Sequence, residues 1–407
     1  MRAFAIVDWA HSTNIYEVNL RQYTEEGTFN AFRKHLPRLK KMGVETLWFM
    51  PLTPVSQKNR KGTLGSYYAC SDYVSINPEF GTMDDCKSLF REAQSMGFKI
   101  IIDWVANHTG WDHQWTKDHP EYYIIDPGTK DFRMASGMED IIELNYENRD
   151  LRTAMIDAME YWVVETGIDG FRCDLASWVT LEFWEEARKE LEKVKELFWF
   201  GEFDELENPE YGEVFDASYS WKWMHLTEDF YKKQLPLSEL IGLLKRYNDL
   251  GDHTMRCWFT SNHDENSWNG SEFEKYGEMT TALAVFSFAW NGIPLLYSGQ
   301  ELPNKKRLNF FDKDEIEWTK EPALASFYAD LLKLRSAHPA LRAGDPSILT
   351  YILRTTAPAE VFAWSRKGKA DEVRVILNLS DKEVIFRIIN EEKEYTLSPW
   401  KYLLIEK

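Results

Sequence analysis

Polar side chains follow four short apolar runs that have the composition of β-strands. They include carboxylates, an arginine and two histidines. The four stretches read Ile101-Ile102-Asp103-Trp104-Val105-Ala106-Asn107-His108, Gly170-Phe171-Arg172-Cys173-Asp174, Phe200-Gly201-Glu202 and Phe259-Thr260-Ser261-Asn262-His263-Asp264. In a closed parallel barrel the carboxyl ends of the strands open into one bowl, so these side chains would meet there. Crowding of like charges would then separate the carboxyl pKa values into acid and base roles.

The spacing of Arg172 and Asp174 indicates a specific chemistry. The two residues are two apart on one strand, so both face the same side, and the guanidinium can hold the carboxylate ionised. This predicts a depressed pKa for Asp174. An ionised carboxylate can attack an anomeric carbon while a second carboxyl protonates the leaving oxygen, and Glu202 is the candidate for that acid. A single Asp at a strand end is usually a cap, so the prediction depends on the joint pattern.

Eight apolar runs alternate with longer amphipathic stretches, which predicts an α/β fold with a (β/α)8 TIM barrel. The helical patterns cover 28–42, 83–96, 149–166, 181–196 and 238–249. Thr82 and Asp150 are expected N-caps, and Gly43, Gly97 and Gly167 are expected left-handed helix ends. The predicted strands are 15–18, 44–49, 99–102, 170–173, 197–200, 214–217, 256–259 and 293–297.

Two segments depart from this alternation. Residues 108–145 are rich in Trp, Asp, Gly and Pro without sustained periodicity, which indicates a short inserted domain after the third strand, and loops of this length are usually functional. Residues 341–407 contain short alternating strands, which predicts a C-terminal antiparallel β-sandwich domain. The barrel itself would then comprise residues 1–107 and 146–340.

Charge and composition exclude several classes of partner. A net charge of −18 disfavours nucleic acid and anionic membranes, whereas the 15% aromatic share suits neutral sugar rings. The four cysteines lack CxxC spacing, so we expect free thiols and no zinc site. No signal peptide or run of about 20 apolar residues is visible. We therefore expect a cytoplasmic protein, or a secreted or periplasmic one if a signal peptide has been removed.

The four stretches together resemble the conserved regions of the α-amylase superfamily, glycoside hydrolase family 13, in order and in barrel placement. The resemblance extends over nearly the whole chain. In family terms, 108–145 is domain B and 341–407 is domain C. Flanking stretches that also match are Gly65-Ser66-Tyr67-Tyr68, Asp72-Tyr73, Pro78-Glu79-Phe80-Gly81-Thr82, Glu143-Leu144-Asn145 and 292–301.

The resemblance implies a retaining glycosidase that acts on α-1,4-linked maltooligosaccharides or α-glucans. Asp174 would be the nucleophile, Glu202 the acid/base and Asp264 the third carboxylate, which grips sugar hydroxyls. Asp103 would brace Arg172. The residues implied to surround the sugar are Tyr68, His108, Arg172 and His263.

The chain departs from the family at Ser177-Trp178, where many α-amylases have Lys-His. That histidine is associated with a calcium site in the family, and Asn107 alone is a poor predictor of calcium. The alternating Asp/Asn loop that often binds calcium is absent from 21–27. We therefore expect no cofactor and no obligatory metal, although calcium binding stays possible.

Several aromatic residues flank the upper loops, where packing and sugar contact are both open: Trp111, Trp115, Tyr122, Tyr123, Trp178, Trp221, Trp223 and Trp268. We expect ordinary structural roles for His225, His253 and His338.

Two alternatives to hydrolysis remain. A transglycosylase or glucosyl phosphorylase would use the same covalent intermediate and pass the glucosyl group to a sugar or to phosphate. A non-catalytic relative that serves in binding would have lost the carboxylates, and all three are present here. The sequence leaves endo or exo action, linkage preference and oligomeric state open.

Overall fold

Eight parallel strands close into a barrel in the computed structural model, which describes residues 4–251 and 254–407. His253 lies outside the described residues. The strands are β1 Ile15–Val18, β2 Thr46–Phe49, β3 Lys99–Trp104, β6 Gly170–Cys173, β7 Phe198–Asp204, β8 Ala217–Tyr219, β9 Met255–Trp258 and β10 Ile293–Tyr297. Around the barrel they follow the order β1-β10-β9-β8-β7-β6-β3-β2, which confirms the predicted α/β barrel.

The sixth barrel strand lies further along the chain than the predicted 214–217. Val214 and Phe215 are fully buried, but they follow a 3₁₀ helix, Pro209–Glu213, and precede the paired residues of β8. Asp216 accepts a hydrogen bond from the backbone N–H of Trp199 at 3.1 Å. The apolar pair is therefore buried by packing outside the strand, which a hydrophobic run alone does not distinguish from strand pairing.

The helices surround the barrel and pack their apolar faces on its outer surface. They are α1 Leu20–Tyr23, α2 Phe29–Arg33, α3 Leu36–Met42, α4 Met83–Ser95, α6 Arg149–Thr166, α7 Leu181–Leu191, α8 Trp221–Lys233, α9 Leu237–Asp249, α10 Glu272–Tyr276, α11 Thr280–Ala289 and α12 Ala325–Ala337. The short helix α5 Trp115–Asp118 lies in the insertion after β3 instead, and none of its residues is buried. The predicted helix 28–42 is divided into α2 and α3, because Pro37 lacks the N–H of a helix interior and sits in a first turn. The predicted helix 181–196 ends at Leu191.

Helix ends show one wrong prediction. Thr82 caps α4 in a reciprocal capping box with Asp85, as expected. The N-cap of α6 is Asn148, whose side chain accepts from the backbone N–H groups of Asp150 and Leu151, so Asp150 lies in the first turn and is not the cap. Gly43, with φ 103°, has the predicted left-handed conformation.

The insertion and the C-terminal segment are antiparallel. Between β3 and α6, β4 His108–Gly110 pairs with β5 Ile141–Glu143. At the C-terminus a four-stranded sheet has the order β11-β12-β13-β16, and a two-stranded sheet is β14-β15. Their bounds are β11 Leu349–Leu353, β12 Val361–Lys367, β13 Glu372–Asn378, β14 Val384–Arg387, β15 Glu394–Leu397 and β16 Tyr402–Glu406.

Both C-terminal sheets contribute to one small core, which includes Ala363, Ile376 and Phe386. Trp364 of β12 points the other way. Its ring is fully buried, packs near Phe286 and Trp290 of the barrel layer, and donates from Nε1 to the carbonyl oxygen of Ala289 at 3.2 Å.

All four cysteines are free and buried, as expected. Among residues 4–251 and 254–407, we find no helix with the length and apolar character that a bilayer crossing requires.

Candidate active site

Arg172 lies at the centre of the bowl and is completely buried. It projects from β6 into the barrel. Its Nη1 donates to Oδ1 of Asp174 at 2.8 Å and to Oδ1 of Asp103 at 3.0 Å. Its Nη2 lies 2.8 Å from Oε2 of Glu202, an ion pair without hydrogen-bond alignment. One cation therefore contacts three carboxylates that come from three different strand ends.

Asp103 braces this arginine from β3, as expected. Its Oδ2 accepts from the hydroxyl of Tyr68 at 3.0 Å and from Nε1 of Trp48 at 3.2 Å. On the opposite side, Nε of Arg172 donates to the hydroxyl of Tyr219 at 3.2 Å. The guanidinium is planar and its donors point in fixed directions, so the carboxylates that contact it are held in fixed positions.

Glu202 is also held by the loop that follows Asp174. The backbone N–H of Leu175 donates to Oε2 of Glu202 at 2.9 Å. Leu175 has φ 42° and ψ 45°, a left-handed conformation that costs a leucine about 1–2 kcal/mol. Strain of this kind persists only where the surrounding structure imposes it, and here it directs a backbone donor at a carboxyl group.

His263 connects the third carboxylate to the barrel interior. Its Nε2 lies 2.7 Å from the hydroxyl of Tyr68 and 3.3 Å from Oδ2 of Asp264. Its Nδ1 lies 2.5 Å from Oε1 of Glu17, a fully buried residue of β1. Burial acts to lower the pKa of His263, but the negative charges of Asp264 and Glu17 raise it well above its ordinary value. His263 is therefore a cation at neutral pH.

His108 has the opposite protonation state. It is buried at the start of β4, and desolvation lowers its pKa to about 4. The neighbouring Asn107 amide lies 3.2 Å from Nδ1. A neutral imidazole can serve as one donor and one acceptor towards sugar hydroxyls.

The expected depression of the Asp174 pKa is wrong. Burial raises the pKa well above its usual range, and the negative charge of Glu202 adds to this, whereas Arg172 opposes it. The arginine two residues away predicts a lowered pKa, but the strand end is desolvated and a second carboxylate contacts the same guanidinium. Asp174 and Glu202 thus form a pair of carboxyls on one guanidinium, and the charge of Glu202 opposes ionisation of Asp174.

Asp264 behaves differently from this pair. Burial acts to raise its pKa, but the charge of His263 lowers it below its ordinary value. The side chain is about one third exposed and faces the bowl. Asp264 is thus an ionised acceptor at neutral pH.

Two aromatic residues from the upper loops are conspicuously exposed: Trp178 at 58% and Trp268 at 51%. Trp178 ends the short 3₁₀ helix that follows Leu175, and Trp268 packs near Phe310. Tyr122, Tyr123 and Trp223 are buried, as packing predicts. His225 stacks on Trp221, and His338 contacts Asp371 and Glu406, so both have structural partners.

The structure brings together every residue that the sequence analysis placed in the site, and it adds three that the analysis missed. The additions are Glu17, Trp48 and Tyr219. A signal for Glu17 was present, since a charged residue interrupts the apolar run Ile15-Tyr16-Glu17-Val18. Nothing marked Trp48 or Tyr219 apart from ordinary strand aromatics. Within the described part of the chain, no three His, Cys, Asp or Glu side chains are arranged to hold a metal ion.

Comparisons with known proteins agree with this geometry. The family model for the α-amylase catalytic domain matches residues 11–137 and 123–342. Alpha-amylase 2 of Dictyoglomus thermophilum is 27% identical over 397 residues, with 92% of this chain and 67% of the relative covered. A cyclomaltodextrinase of a Bacillus species is 27% identical over 388 residues, covering 86% of this chain and 65% of the relative. The chain thus spans about two thirds of the length of these curated relatives.

A solved structure matches over the full length. The crystal structure of an α-amylase from Lactobacillus plantarum has a TM-score of 0.88 and 26% identity, with 98% of this chain and 99% of that chain covered. The matched family model includes all the strand ends that carry the carboxylates, from Asp103 to Asp264. The chain belongs to the α-amylase superfamily, glycoside hydrolase family 13.

Proposed function

We propose that this protein is a retaining glycosidase that hydrolyses α-1,4-linked maltooligosaccharides or α-glucans. The observation that carries the proposal is the shared contact of Asp174 and Glu202 with Arg172, at 2.8 Å each. Two carboxyls fixed around one cation at the carboxyl ends of the barrel strands form the arrangement that double displacement requires. The relatives named as α-amylase and cyclomaltodextrinase support the substrate class.

Each step can be assigned to residues of this chain. A carboxylate oxygen of Asp174 attacks the anomeric carbon, and Glu202 gives its proton to the glycosidic oxygen as that carbon–oxygen bond breaks. The product is a glucosyl ester of Asp174. Glu202, now ionised, removes a proton from water, whose oxygen attacks the same carbon and releases the Asp174 carboxylate. In this cycle the proton starts on Glu202, and Asp174 is the ionised partner of Arg172.

The remaining residues bind the sugar in this proposal. Asp264 accepts hydrogen bonds from hydroxyls of the distorted ring, and the neutral His108 donates to another. The cationic His263 lies beside Asp264, with Nε2 3.3 Å from Oδ2. Tyr68 contributes a buried ring beside His263, with which it stacks at 5.4 Å. Arg172 holds Asp174 from beneath, where its own side chain has no exposed surface.

No cofactor is required by these steps, since acid, nucleophile and base are all side chains. Trp178 offers a metal no ligand because an indole N–H is a donor only. We therefore propose that calcium is dispensable. EDTA treatment should leave the rate and the Tm nearly unchanged, and a strong loss that Ca²⁺ restores would contradict the proposal.

The stereochemistry of the first product tests the reaction. Fresh product from maltoheptaose, observed by NMR before mutarotation, should be the α-anomer, because two inversions restore the starting configuration. A β-anomer would reject the mechanism.

A substrate panel of maltotriose, maltoheptaose, isomaltose and sucrose, compared by kcat/KM, tests the substrate class. We expect the two maltooligosaccharides to be preferred. Accumulation of longer products, or glucose 1-phosphate formed with added phosphate, would favour the transglycosylase or phosphorylase alternative.

A further inference from the structure

Glu17 is a buried carboxylate for which the proposed catalytic steps have no use. It lies on β1 inside the barrel, with no exposed surface. Its Oε1 accepts from Nδ1 of His263 at 2.5 Å and from the backbone N–H of the same residue at 3.3 Å. Its Oε2 is buried without a hydrogen-bond partner among the described residues. A carboxylate in such a place is costly unless it is paired with a charge.

The hydrogen bonds around His263 determine where its protons lie. The hydroxyl of Tyr68 has one proton, and it donates that proton to Oδ2 of Asp103 at 3.0 Å. The oxygen of Tyr68 must then accept from Nε2 of His263, which lies 2.7 Å away. Nε2 is therefore an N–H, and it also lies 3.3 Å from Oδ2 of Asp264. The carboxylate of Glu17 accepts a hydrogen bond at Nδ1 and so favours a proton on that nitrogen as well, which makes the ring an imidazolium.

We propose that Glu17 is a positioning residue that keeps His263 in its imidazolium form, so that Nε2 holds the carboxylate of Asp264 towards the sugar. This inference rests on the proposed function, in which Asp264 grips sugar hydroxyls. Glu17 itself touches no substrate. It acts through one imidazole ring, and the three residues form a chain of carboxylate, imidazolium and carboxylate.

Other charged and titratable groups near Glu17, His263 and Asp264 come from the neighbouring strands. Tyr68 contacts His263 from the loop after β2, and Asp103 of β3 acts on it as a further negative charge. Burial raises the pKa of Glu17, and the charges of His263 and of Arg172 on β6 oppose this shift. Tyr219 of β8 and Tyr297 of β10 lie near the same carboxyl group. The carboxylates nearest His263 outnumber the single arginine, which favours a cation at that ring. The raised pKa of His263 and the lowered pKa of Asp264 agree with this balance.

The variant Glu17→Gln tests whether the charge of Glu17 keeps His263 protonated, because an amide keeps the shape of Glu17 but supplies no charge. His263 should then lose one of its two ring protons in the alkaline range, and with it the positive charge that attracts Asp264. We expect the alkaline limb of the kcat/KM profile on maltoheptaose to move to lower pH by about one unit or more. The control Glu272→Gln removes another buried carboxyl, which contacts Thr260 and Gln300 and makes no contact with His263, and should leave that limb in place. A Glu17→Gln profile that superposes on the wild type after scaling would overturn the proposal.

A measurement without substrate separates this inference from the proposed function. In ¹⁵N-histidine-labelled protein, NMR should show both ring nitrogens of His263 protonated at pH 8, with the signal assigned by its loss in His263→Asn. Glu17→Gln should convert the signal to a neutral ring, and in the His263→Asn background it should lower kcat/KM no further. A neutral His263 in the wild type overturns the proposal even if Glu17→Gln does not fold. If the protein hydrolyses no maltooligosaccharide, the proposed function fails while the NMR result still decides the role of Glu17.

Discussion

The backbone N–H of Leu175 donates to the carboxyl group of Glu202 at 2.9 Å, so the residue after the candidate nucleophile holds the candidate acid. The two groups come from different strands, β6 and β7, and a left-handed turn brings them together. The contact couples the geometry of both carboxyls, because a shift of the Asp174 strand end moves the donor that Glu202 depends on.

Substitution of the two carboxyls should give different kinetic results. Asp174→Asn removes the nucleophile while it keeps the shape of the side chain, so turnover should be abolished on every substrate. Glu202→Gln cannot protonate a poor leaving group, but an activated aryl α-glucoside needs little protonation. On that substrate the glucosyl-enzyme should still form, but it should accumulate because its hydrolysis lacks a base. Added azide should then release the glucosyl group. Substantial activity of Asp174→Asn would show that the nucleophile is another residue.

Loss of the central cation should destabilise the fold. Arg172→Met leaves three carboxylates around an apolar side chain, and breaking a buried ion pair in this way costs about 3–5 kcal/mol in the free energy of unfolding. Arg307→Ala is the matched control, because Arg307 pairs with Glu274 on the surface and its loss should cost about 0–1 kcal/mol. Urea unfolding of both variants at pH 7 measures the difference. Equal effects would mean that Arg172 is not a structural centre.

Glu272 should make stability depend on pH. Burial raises its pKa from 4.5 to about 7, so the folded state binds a proton that the unfolded state has released between these values. The free energy of unfolding therefore falls as pH rises from 4.5 to 7, by up to about 3 kcal/mol from this group. Glu272→Gln removes this dependence. In urea unfolding, the free energy of unfolding of the variant should therefore increase relative to that of the wild type between pH 4 and pH 8. A constant difference between the two proteins would contradict the shift.

The cap of α6 provides a local test of stability. Asn148→Ala removes the acceptor of two backbone N–H groups and should cost about 1 kcal/mol in the free energy of unfolding. Asp150→Ala removes only a favourable charge in the first turn, worth about 0.3–1 kcal/mol, and high salt should screen that effect. If Asp150→Ala is the more harmful change at 1 M NaCl, the assignment of the cap is wrong.

The sequence predicted the barrel and the carboxylates because both depend on local patterns. Most barrel strands contain an apolar run, and a polar residue at the end of such a run must lie at the carboxyl end of the sheet. The predicted position of β8 was wrong because Val214 and Phe215 are buried by packing and do not belong to the paired residues of the strand.

Contacts between distant strands could not be predicted in the same way. Glu17 and His263 are 246 residues apart, and only closure of the barrel puts them 2.5 Å from each other. The predicted direction of the pKa shift of Asp174 was wrong for a related reason. Its sign depends on burial and on the charge of Glu202, which outweigh the arginine two residues away in the sequence. Both quantities belong to the assembled bowl rather than to any one strand.

Trp364 of the C-terminal sheet packs against Phe286 and Trp290 in the layer of helices around the barrel. A protein truncated at residue 340 would expose the rings of Phe286 and Trp290 to water and leave the carbonyl of Ala289 without its indole donor. Arg366 of the same strand donates to the carbonyl oxygens of Ala340 and Arg342, so the cut would fall at an anchored point. An exposed aromatic surface of this kind promotes aggregation. A minimal catalytic fragment must therefore retain β12, and fusion partners are better attached after β16.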